Sequence, residues 1–461
     1  MEAKTLRIGI IGAGFSGAAL AACLHKMNSA QIEVFLFEKS GSFATGEAYR
    51  TPYPFHLLNV RARDMSAFED EPDHFVSWLK TNNDIDNSLD RDLPASEQFA
   101  PRVLYGNYLK HLLQTVQSDS SGKFKLNLES SEVIDVIPSA SRALLVLNDQ
   151  RTIAVDKVIL ASGNNQPQAF PFPVSGNVNR IDNPWDYTAP AQIAKNEPVL
   201  IVGTGLSMID TVLTLHHHQH EGKIYALSRH GLLPLPHAEG KVPLFMLPDH
   251  LPRNLRPFIK YIRACSRQLV DADGDWRSAI NALRARIPEI WSRTSVTDKK
   301  RFLRHVLPYW NSHRHRVHNK IAAMLASLSA RQQLNIIAGR VLALENGIAN
   351  IRLRHTGEMV KINVTWLINC MGPSLTVKSS QQPLEQALVQ RGVATPDSLH
   401  LGLSVAADGA LLNAAGSAST IFYSVGPPRK SACWESGAVP EIRRQCFDLT
   451  KQIMLSPVCQ L

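Results

Sequence analysis

The sequence predicts an α/β fold with two similar nucleotide-binding units, and three observations support that prediction. An apolar run at 6–12 leads directly into the glycine-rich segment 12–17, and a helical stretch follows. A second apolar run at 198–202 leads into segment 203–208 in the same order. Strand, glycine-rich turn and helix in this order build the dinucleotide-binding unit of a Rossmann-like sheet. A basic helical segment interrupts the second unit. We therefore expect two Rossmann-like domains, with a basic helical insertion in the second.

Each glycine of the first motif has a mechanical task. Gly12 makes the tight turn, Gly14 lets the backbone approach a pyrophosphate, and Gly17 lets the helix pack closely on the strand. The start of the helix adds unpaired N–H groups and the positive end of its dipole, both of which favour phosphate. The predicted binding loop consists of Gly12, Ala13, Gly14, Phe15, Ser16 and Gly17.

An acidic residue completes the first unit. A second predicted strand, 33–37, ends at Glu38, which lies 21 residues after Gly17 and precedes Lys39. An acid at this distance accepts hydrogen bonds from ribose hydroxyls. The combination of strand, glycine motif, helix and acid predicts a dinucleotide site that includes both Glu38 and Lys39.

The second motif is less regular than the first. Gly203 and Gly205 occupy the first two glycine positions, but Met208 stands at the third. We expect looser packing of helix on strand there, with Ser207 supplying the small side chain. The prediction of a second nucleotide site rests on the first two glycines and on the flanking strand and helix.

The residue at the end of the second strand of each unit indicates which cofactor that unit binds. Gly12 to Glu38 spans 26 residues, and Gly203 to Arg229 also spans 26. Where the first unit has its ribose-binding acid, the second therefore has Ser228 and Arg229. An arginine there pairs with a 2′-phosphate. The first site thus suits FAD and the second NADPH; the alternative is that Arg229 is an ordinary surface arginine.

Two such motifs, about 190 residues apart, resemble the two-dinucleotide-binding flavoproteins. Further segments resemble the FAD/NAD(P)-binding protein family that is related to flavin-containing and N-hydroxylating monooxygenases. Those segments are 46–49, 56–60, 65–66, 101–102, 105–109, 205–210, 228–234, 313–316, 425–427, 434–435 and 438–443. The resemblance spans nearly the whole chain, from Ile8 to about Leu449. It implies a cofactor set, FAD and NADPH, more directly than it implies a reaction.

The resemblance also implies further cofactor-binding residues. Pro440 falls in the first turn of a C-terminal helix whose positive end, in this fold, points at the pyrimidine edge of the flavin. In the ketone-oxygenating fingerprint a histidine would be expected where Arg180 stands, which counts against that reaction. The residues implied are His56, Leu58, Asn59, Val60, Met65, Arg102, Ser162, Gly163, Gly426 and Pro440.

The two motifs and the resemblance divide the chain into segments. We expect the FAD-binding domain to start with residues 1–165 and to be completed by a return segment at 376–461. The NAD(P)-binding domain would combine 195–240 with 331–375. The helical insertion would be 241–330.

The insertion is strongly basic. Residues 251–331 contain 17 Lys and Arg against 5 Asp and Glu, a local balance of +12 in a chain of net charge +9. This favours an anionic portion of a substrate or NADPH, whereas a solvated helical face is the plain alternative. On a continuous helix Arg314 and Arg316 would point about 200° apart, so we expect only one to reach a ligand. We favour Arg314, because Trp310 lies one turn before it.

Composition bounds the remaining possibilities. The six cysteines are scattered with no C-x-x-C pair, and consecutive histidines at 216–218 cannot share one ion, so we expect no metal site and no dithiol centre. Because no signal peptide or membrane-spanning run stands out, we expect a cytoplasmic protein.

The leading hypothesis is an FAD- and NADPH-dependent oxidoreductase, most simply a monooxygenase of a small molecule. A flavoprotein that binds or modifies nucleic acid and a non-catalytic FAD-binding scaffold are the alternatives.

Overall fold

A computed structural model describes residues 5–82, 89, 92–240, 242–374 and 382–455. The chain folds into two compact units, each built from segments that are distant in sequence. The first unit gathers the described residues of Met1–Pro54, Val60–Asn165 and Leu375–Leu461. The second gathers those of Phe55–Asn59 and Gln166–Ser374.

The chain contains both parallel sheets and helices, as the α/β prediction requires. The strands are β1 (Leu6–Ile11), β2 (Ile32–Phe37), β3 (Phe124–Glu129), β4 (Val133–Pro138), β5 (Ala143–Leu147), β6 (Thr152–Val155), β7 (Lys157–Leu160), β8 (Val174–Ser175), β9 (Asn179–Ile181), β10 (Val199–Val202), β11 (Ile224–Ser228), β12 (Leu334–Glu345), β13 (Ile348–Leu353), β14 (Met359–Asn363), β15 (Trp366–Asn369), β16 (Ala410–Leu412) and β17 (Ala418–Ser424). The helices are α1 (Phe15–Lys26), α2 (His74–Thr81), α3 (Arg102–Gln117), α4 (Leu206–His217), α5 (Leu255–Asp271), α6 (Arg277–Arg293), α7 (Val296–Arg301), α8 (Leu307–Arg314), α9 (Asn319–Ala330), α10 (Pro383–Gln390) and α11 (Val439–Met454).

A six-stranded sheet of order β16-β17-β7-β1-β2-β3 forms the centre of the first unit. Its strands run parallel except β16, which is antiparallel to β17. Ile8 and Ile10 on β1 are fully buried, as a strand between two parallel neighbours must be. A separate antiparallel sheet, β4-β5-β6, packs its apolar side chains into the same core. The first glycine motif therefore follows β1, which lies between β7 and β2 inside this sheet.

The second unit repeats this plan around β10. Strand β10 lies between β11 and β15 and is parallel to both, and β12 continues the parallel sheet beside β11. From Gly339 onward β12 turns into an antiparallel ribbon with β13, and β13 in turn pairs with β14. Met208 is fully buried in the core beneath this sheet. The third position of the second motif is thus filled by a core side chain.

The structure confirms that the insertion is helical, with α5 to α9 in place of sheet. Helices α5 and α6 pack through Ile262, Ile280 and Leu283, and Trp310 borders the same cluster. A π-helical turn, Phe302–Val306, precedes α8. None of the described helices has the length and apolar character needed to cross a membrane.

One prediction about the insertion is wrong. The angular argument for Arg314 and Arg316 assumed a helix that contains both, but α8 ends at Arg314 and His315 is its C-cap. Arg316 therefore lies beyond the helix, and both arginines are buried, with 6 % and 8 % of their surface exposed.

Candidate cofactor sites

The first glycine motif has the backbone that a close approach requires. Gly12 has φ +101°, and a Cβ there would lie 2.4 Å from the carbonyl oxygen of Ala161. A Cβ on Gly17 would lie 2.0 Å from the carbonyl oxygen of Gly12. Any side chain at either position would collide with main chain. The loop therefore turns tightly against β7 and α1 packs directly on it, as expected from the sequence.

A second loop lies against Gly14. The backbone N–H of Ala44 donates to the carbonyl oxygen of Ala13 at 2.7 Å, and a Cβ on Gly14 would sit 3.4 Å from Cα of Gly46. Gly46 has φ +52°. Two glycines thus face each other at the start of α1, which keeps side chains away from its N–H groups. Gly46 lies in a segment that carries the family resemblance, but we did not single it out as a site residue.

Glu38 lies against the glycine loop, and its ribose-binding role stays a prediction. Its carboxylate accepts a hydrogen bond from the N–H of Ala13 at 3.2 Å, and bonds from the N–H and hydroxyl of Ser40 at 3.1 and 2.8 Å. The side chain is half-buried at the end of β2. Lys39, by contrast, is 58 % exposed and pairs with Glu132 at 3.6 Å. Only Glu38 is held against the glycine loop.

The carboxyl ends of β7 and β17 bring Gly163 and Gly426 into the first unit's site. Gly163 has φ +73° and nothing lies within 4 Å of where its Cβ would be. A Cβ on Gly426 would lie 2.4 Å from Oγ of Ser16, and the Gly426 N–H donates to Oε1 of Gln445 at 2.8 Å. Gln445, which the sequence did not point to, therefore holds α11 against the loop at Gly426.

Helix α11 begins at this loop. Pro440 occupies its first turn, as expected, after the N-cap residue Ala438. The thiol of Cys446, one turn and a half further on, donates to the carbonyl oxygen of Ser16 at 3.6 Å. The middle of α11 is thereby packed against the start of α1, and the role of the positive end of α11 at the flavin stays a prediction. Ser162 lies in the turn between β7 and Gly163.

The segment Phe55–Asn59 belongs to the second unit instead of the first. His56 is fully buried; its Nε2 contacts the hydroxyl of Thr214 at 3.1 Å and the carbonyl oxygen of Asp210 at 3.2 Å, both on α4. Nε2 of His237 lies 3.0 Å from the carbonyl oxygen of Asn59. Cofactor contact by His56, Leu58 and Asn59 remains a prediction.

Val60, Met65 and Arg102 lie in the first unit. Met65 is buried, and Arg102 is the first residue of α3. Burial raises the pKa of the Tyr49 hydroxyl to about 12, with the neighbouring Arg102 acting in the opposite direction. Contact of Val60, Met65 and Arg102 with a cofactor stays a prediction.

The second glycine motif is tightly packed at its first glycine and open at its second. Gly203 has φ +114°, and a Cβ there would lie 2.0 Å from the carbonyl oxygen of Cys370, so this turn is as tight as the one at Gly12. At Gly205, which precedes Ser207 in α4, nothing lies within 4 Å of the corresponding position. The first glycine is therefore required by packing, whereas the second leaves space for a ligand.

A buried threonine links this motif to the turn after β11. The hydroxyl of Thr204, whose residue is 6 % exposed, lies 2.9 Å from Oγ of Ser228 and 2.6 Å from the carbonyl oxygen of Leu232. The N–H of Gly231 donates to the same Ser228 oxygen at 3.0 Å. Thr204 was not predicted as a site residue, because its contact is formed with residues 24 and 28 positions away.

Arg229 is exposed and directly follows β11, the place expected from the count of residues. A second arginine lies beside it: Nη1 of Arg354 donates to the carbonyl oxygen of Arg229 at 3.3 Å. Between them, His230 has a lowered pKa, because partial burial and then the positive charges of Arg354 and Arg229 disfavour protonation. The structure thus adds Arg354 to the predicted phosphate site.

Within the insertion, Arg316 is bound internally. Its Nη2 donates to Oδ1 of Asn281 at 2.5 Å. Burial, followed by the charges of Arg314 and Arg277, lowers its pKa to about 10. Among the described residues, no group of three His, Cys, Asp or Glu side chains is placed to hold a metal ion.

Residues 9–165 match the family described as FAD-NAD(P)-binding. This segment is an FAD-NAD(P)-binding domain. It includes the first glycine motif, Glu38 and the strand that leads to Gly163, whereas Gly426 and Pro440, which we also assigned to FAD from the sequence, lie outside it. No curated protein matches the chain in sequence.

Solved structures share the fold of the entire chain. An ornithine N-hydroxylase of Kutzneria sp. 744 aligns at 14 % identity over 97 % of this chain and 98 % of its own, with a TM-score of 0.64. A cadaverine monooxygenase of Erwinia amylovora aligns at 12 % identity over 98 % and 95 %, with a TM-score of 0.65. A bacillithiol disulfide reductase of Staphylococcus aureus aligns at 10 % identity over 98 % of each chain, with a TM-score of 0.54. This confirms the predicted fold with its two dinucleotide-binding units.

Proposed function

We propose that the protein is an FAD-dependent, NADPH-using monooxygenase that hydroxylates a small molecule. The observation that carries this proposal is the pairing of two equivalent turns with opposite charges. Glu38 directly follows the second strand of the first unit, and Arg229 directly follows the second strand of the second unit. An acid suits the free ribose of FAD, and an arginine suits the 2′-phosphate of NADPH.

The residues of the first unit fit FAD. Gly14 and Gly46 face each other at the start of α1, Glu38 accepts a hydrogen bond from the N–H of Ala13, and Cys446 of α11 is bound to Ser16 of α1. The α1 N–H groups would bind the pyrophosphate, Glu38 would accept hydrogen bonds from the ribose, and the positive end of α11 would favour negative charge on the flavin ring. When bound, FAD supplies hydride acceptance and reaction with oxygen, which no side chain provides.

We further propose an amine as the substrate class. Structural neighbours of comparable fold include enzymes that act on ornithine and cadaverine, and another is described as an L-lysine 6-monooxygenase from Pseudomonas syringae. They share 12 to 14 % identity with this chain. Amines of this size are therefore the first compounds to test, and the basic insertion suits an anionic portion of the substrate or of NADPH.

Disulfide reduction is the second candidate, because disulfide reductases also share the fold. That chemistry by a protein dithiol requires two adjacent cysteines, one of them as thiolate. The described cysteines are all free, and four of the five are buried. Burial raises the pKa of the Cys23 and Cys370 thiols to about 12, so neither is a thiolate at neutral pH. The cysteines therefore favour the monooxygenase.

Stopped-flow spectroscopy tests the proposal. The FAD-loaded protein is mixed with NADPH under anaerobic conditions, then with oxygen, in the presence and absence of ornithine, lysine or cadaverine. We expect bleaching of the flavin band by NADPH, and a hydroxylated product with one of the amines. Absence of flavin reduction by NADPH would overturn the proposal and favour a non-catalytic FAD-binding scaffold. Salt-dependent binding of RNA or DNA by the same protein would instead support the nucleic-acid alternative.

A further inference from the structure

The turn after β11 holds two arginines in a fixed relation. Arg229 is positioned by Ser228, whose Oγ is bound to Thr204 and Gly231 at 2.9 and 3.0 Å. Arg354 is positioned by its own N–H, which donates to the carbonyl oxygen of Ala338 on β12 at 2.8 Å. Its Nη1 then reaches the carbonyl oxygen of Arg229 at 3.3 Å. The guanidinium group of Arg354 is thereby bound to the backbone of Arg229 within one unit.

Both arginines are exposed, and in the part of the chain that the structure describes no carboxylate pairs with either one. His230 adds a third basic side chain next to them, and partial burial, followed by the charges of Arg354 and Arg229, lowers its pKa. Like charges at close range repel unless an anion lies between them. This arrangement suits a doubly charged anion, and phosphate is the biological anion for which arginine pairs are most often used.

An aromatic pair adjoins the arginines. The ring of Tyr309 on α8 meets the ring of His230 edge to face, with centroids 5.4 Å apart and planes at 64°. Tyr309 is 46 % exposed, whereas Trp291 in the same insertion is 6 % exposed and Trp310 borders the apolar cluster. Tyr309 is thus more exposed than the aromatic residues of the insertion that pack in its core.

We propose that Arg354 shares the 2′-phosphate of NADPH with Arg229, and that the Tyr309–His230 ring pair binds the adenine. This inference rests on the proposed function and extends it, because it assigns one side chain of the basic insertion to the cofactor. It also distinguishes two contributions to cofactor binding, one from the arginines and one from the aromatic rings. The arginines act on the phosphate that NADH lacks, whereas the rings act on the adenine that NADPH and NADH share.

The two contributions differ in what they do to affinity. Loss of one charge-assisted contact to phosphate weakens binding by roughly ten- to a hundredfold, and only for the cofactor that carries the phosphate. Loss of an aromatic partner of a base weakens binding by roughly five- to a hundredfold, for both cofactors alike. A residue that merely supports the fold would change FAD content or thermal stability as well.

Isothermal titration of the FAD-loaded protein with NADP⁺ and NAD⁺ tests this assignment. Arg354→Ala should weaken NADP⁺ binding by about tenfold or more and leave NAD⁺ binding unchanged, as Arg229→Ala should. The double variant should bind the two cofactors equally. Tyr309→Leu should weaken both by a similar factor. Arg331→Ala, which removes an exposed arginine at the end of α9, is the matched control and should change neither.

The outcomes distinguish this inference from the function on which it rests. If Arg354→Ala affects neither cofactor, or weakens both equally, while Arg229→Ala still lowers NADP⁺ affinity, the role of Arg354 is overturned and the proposed function stands. If Tyr309→Leu leaves both affinities unchanged, the ring pair does not bind adenine. If the wild-type protein binds neither cofactor, both proposals fall together.

Discussion

The hydroxyl of Thr204 lies 2.9 Å from Oγ of Ser228 and connects the glycine loop of the second unit to the turn that carries Arg229. The two residues come from different βα connections, at the ends of β10 and β11. Their contact fixes the distance between the place for a pyrophosphate and the arginine beyond it. We therefore expect cofactor preference in this unit to depend on this part-buried hydrogen bond as well as on a surface charge.

Thr204→Val should demonstrate that dependence. The substitution keeps the side-chain shape but removes the partner of Ser228 and of the carbonyl oxygen of Leu232, both near the buried loop. Leaving such groups unpaired costs about 1–3 kcal/mol. We expect a lower free energy of unfolding in urea and weaker NADPH binding, with FAD content unchanged. Thr188→Val, in an exposed turn, serves as control. Equal loss of FAD and NADPH would show that Thr204 supports the fold alone.

Gly14→Val should abolish FAD binding. Valine adds two methyl groups beside a Cβ that already lies 3.4 Å from Gly46, so the start of α1 would no longer be open. The purified wild-type protein should be yellow and the variant colourless, measured as the flavin absorbance per protein. Ser120→Val, on an exposed loop of the same unit, should retain the flavin. Full flavin absorbance in the glycine variant would contradict the assignment of the first motif.

Arg229→Ala should remove most of the preference for NADPH over NADH. One charge-assisted contact to phosphate contributes roughly 1.5–3 kcal/mol, which corresponds to about ten- to over a hundredfold in affinity. The ratio of kcat/KM for the two cofactors measures the effect. A wild-type protein that uses both cofactors equally would show that the matched spacing of Glu38 and Arg229 has no bearing on specificity.

Replacement of Arg316 should change thermal stability, whereas replacement of Arg314 should change the kinetics. Arg316 donates to Asn281 inside the insertion, so Arg316→Ala should lower the melting temperature. We retain the hypothesis that Arg314 contacts a ligand, so Arg314→Ala should raise a Michaelis constant or slow flavin reduction without loss of FAD. If Arg316→Ala alone has the kinetic effect, the assignment is reversed. If neither has it, the arginines serve only the structure of the insertion.

His230 should make stability depend on pH. Its pKa in the folded protein lies below the ordinary value of 6.5, so the folded state binds fewer protons than the unfolded state in this range. The favourable contribution of the neutral ring is therefore complete above about pH 6.5 and declines as the pH falls through the folded pKa. Urea unfolding at about pH 7.5 and about pH 5.5 should show a larger loss for wild type than for His230→Gln. Equal losses would remove His230 as the source.

Site residues could be predicted from the sequence where the strand, turn and helix that position them follow one another directly in the chain. The glycine motifs, Glu38 and Arg229 could be predicted because a strand, a turn and a helix follow one another within about thirty residues. Arg354 could not, since its place beside Arg229 depends on the antiparallel ribbon of β12 and β13, formed more than a hundred residues later. The contact of His56 with Thr214 spans 158 positions and has no local signal. The end of α8 at Arg314 also had no marker, because no glycine or proline follows it at once.

Phe55–Asn59 belong to the second unit, and this determines which fragments of the protein can be expressed separately. The second unit cannot be produced as the single stretch Gln166–Ser374, because that stretch lacks the histidine that packs on α4 and the carbonyl group that His237 reaches. A fragment without them would expose part of α4 to water and leave Thr214 without its buried ring partner. Attempts to express either half alone, or to exchange halves with a related enzyme, must carry these five residues along with the unit that they complete.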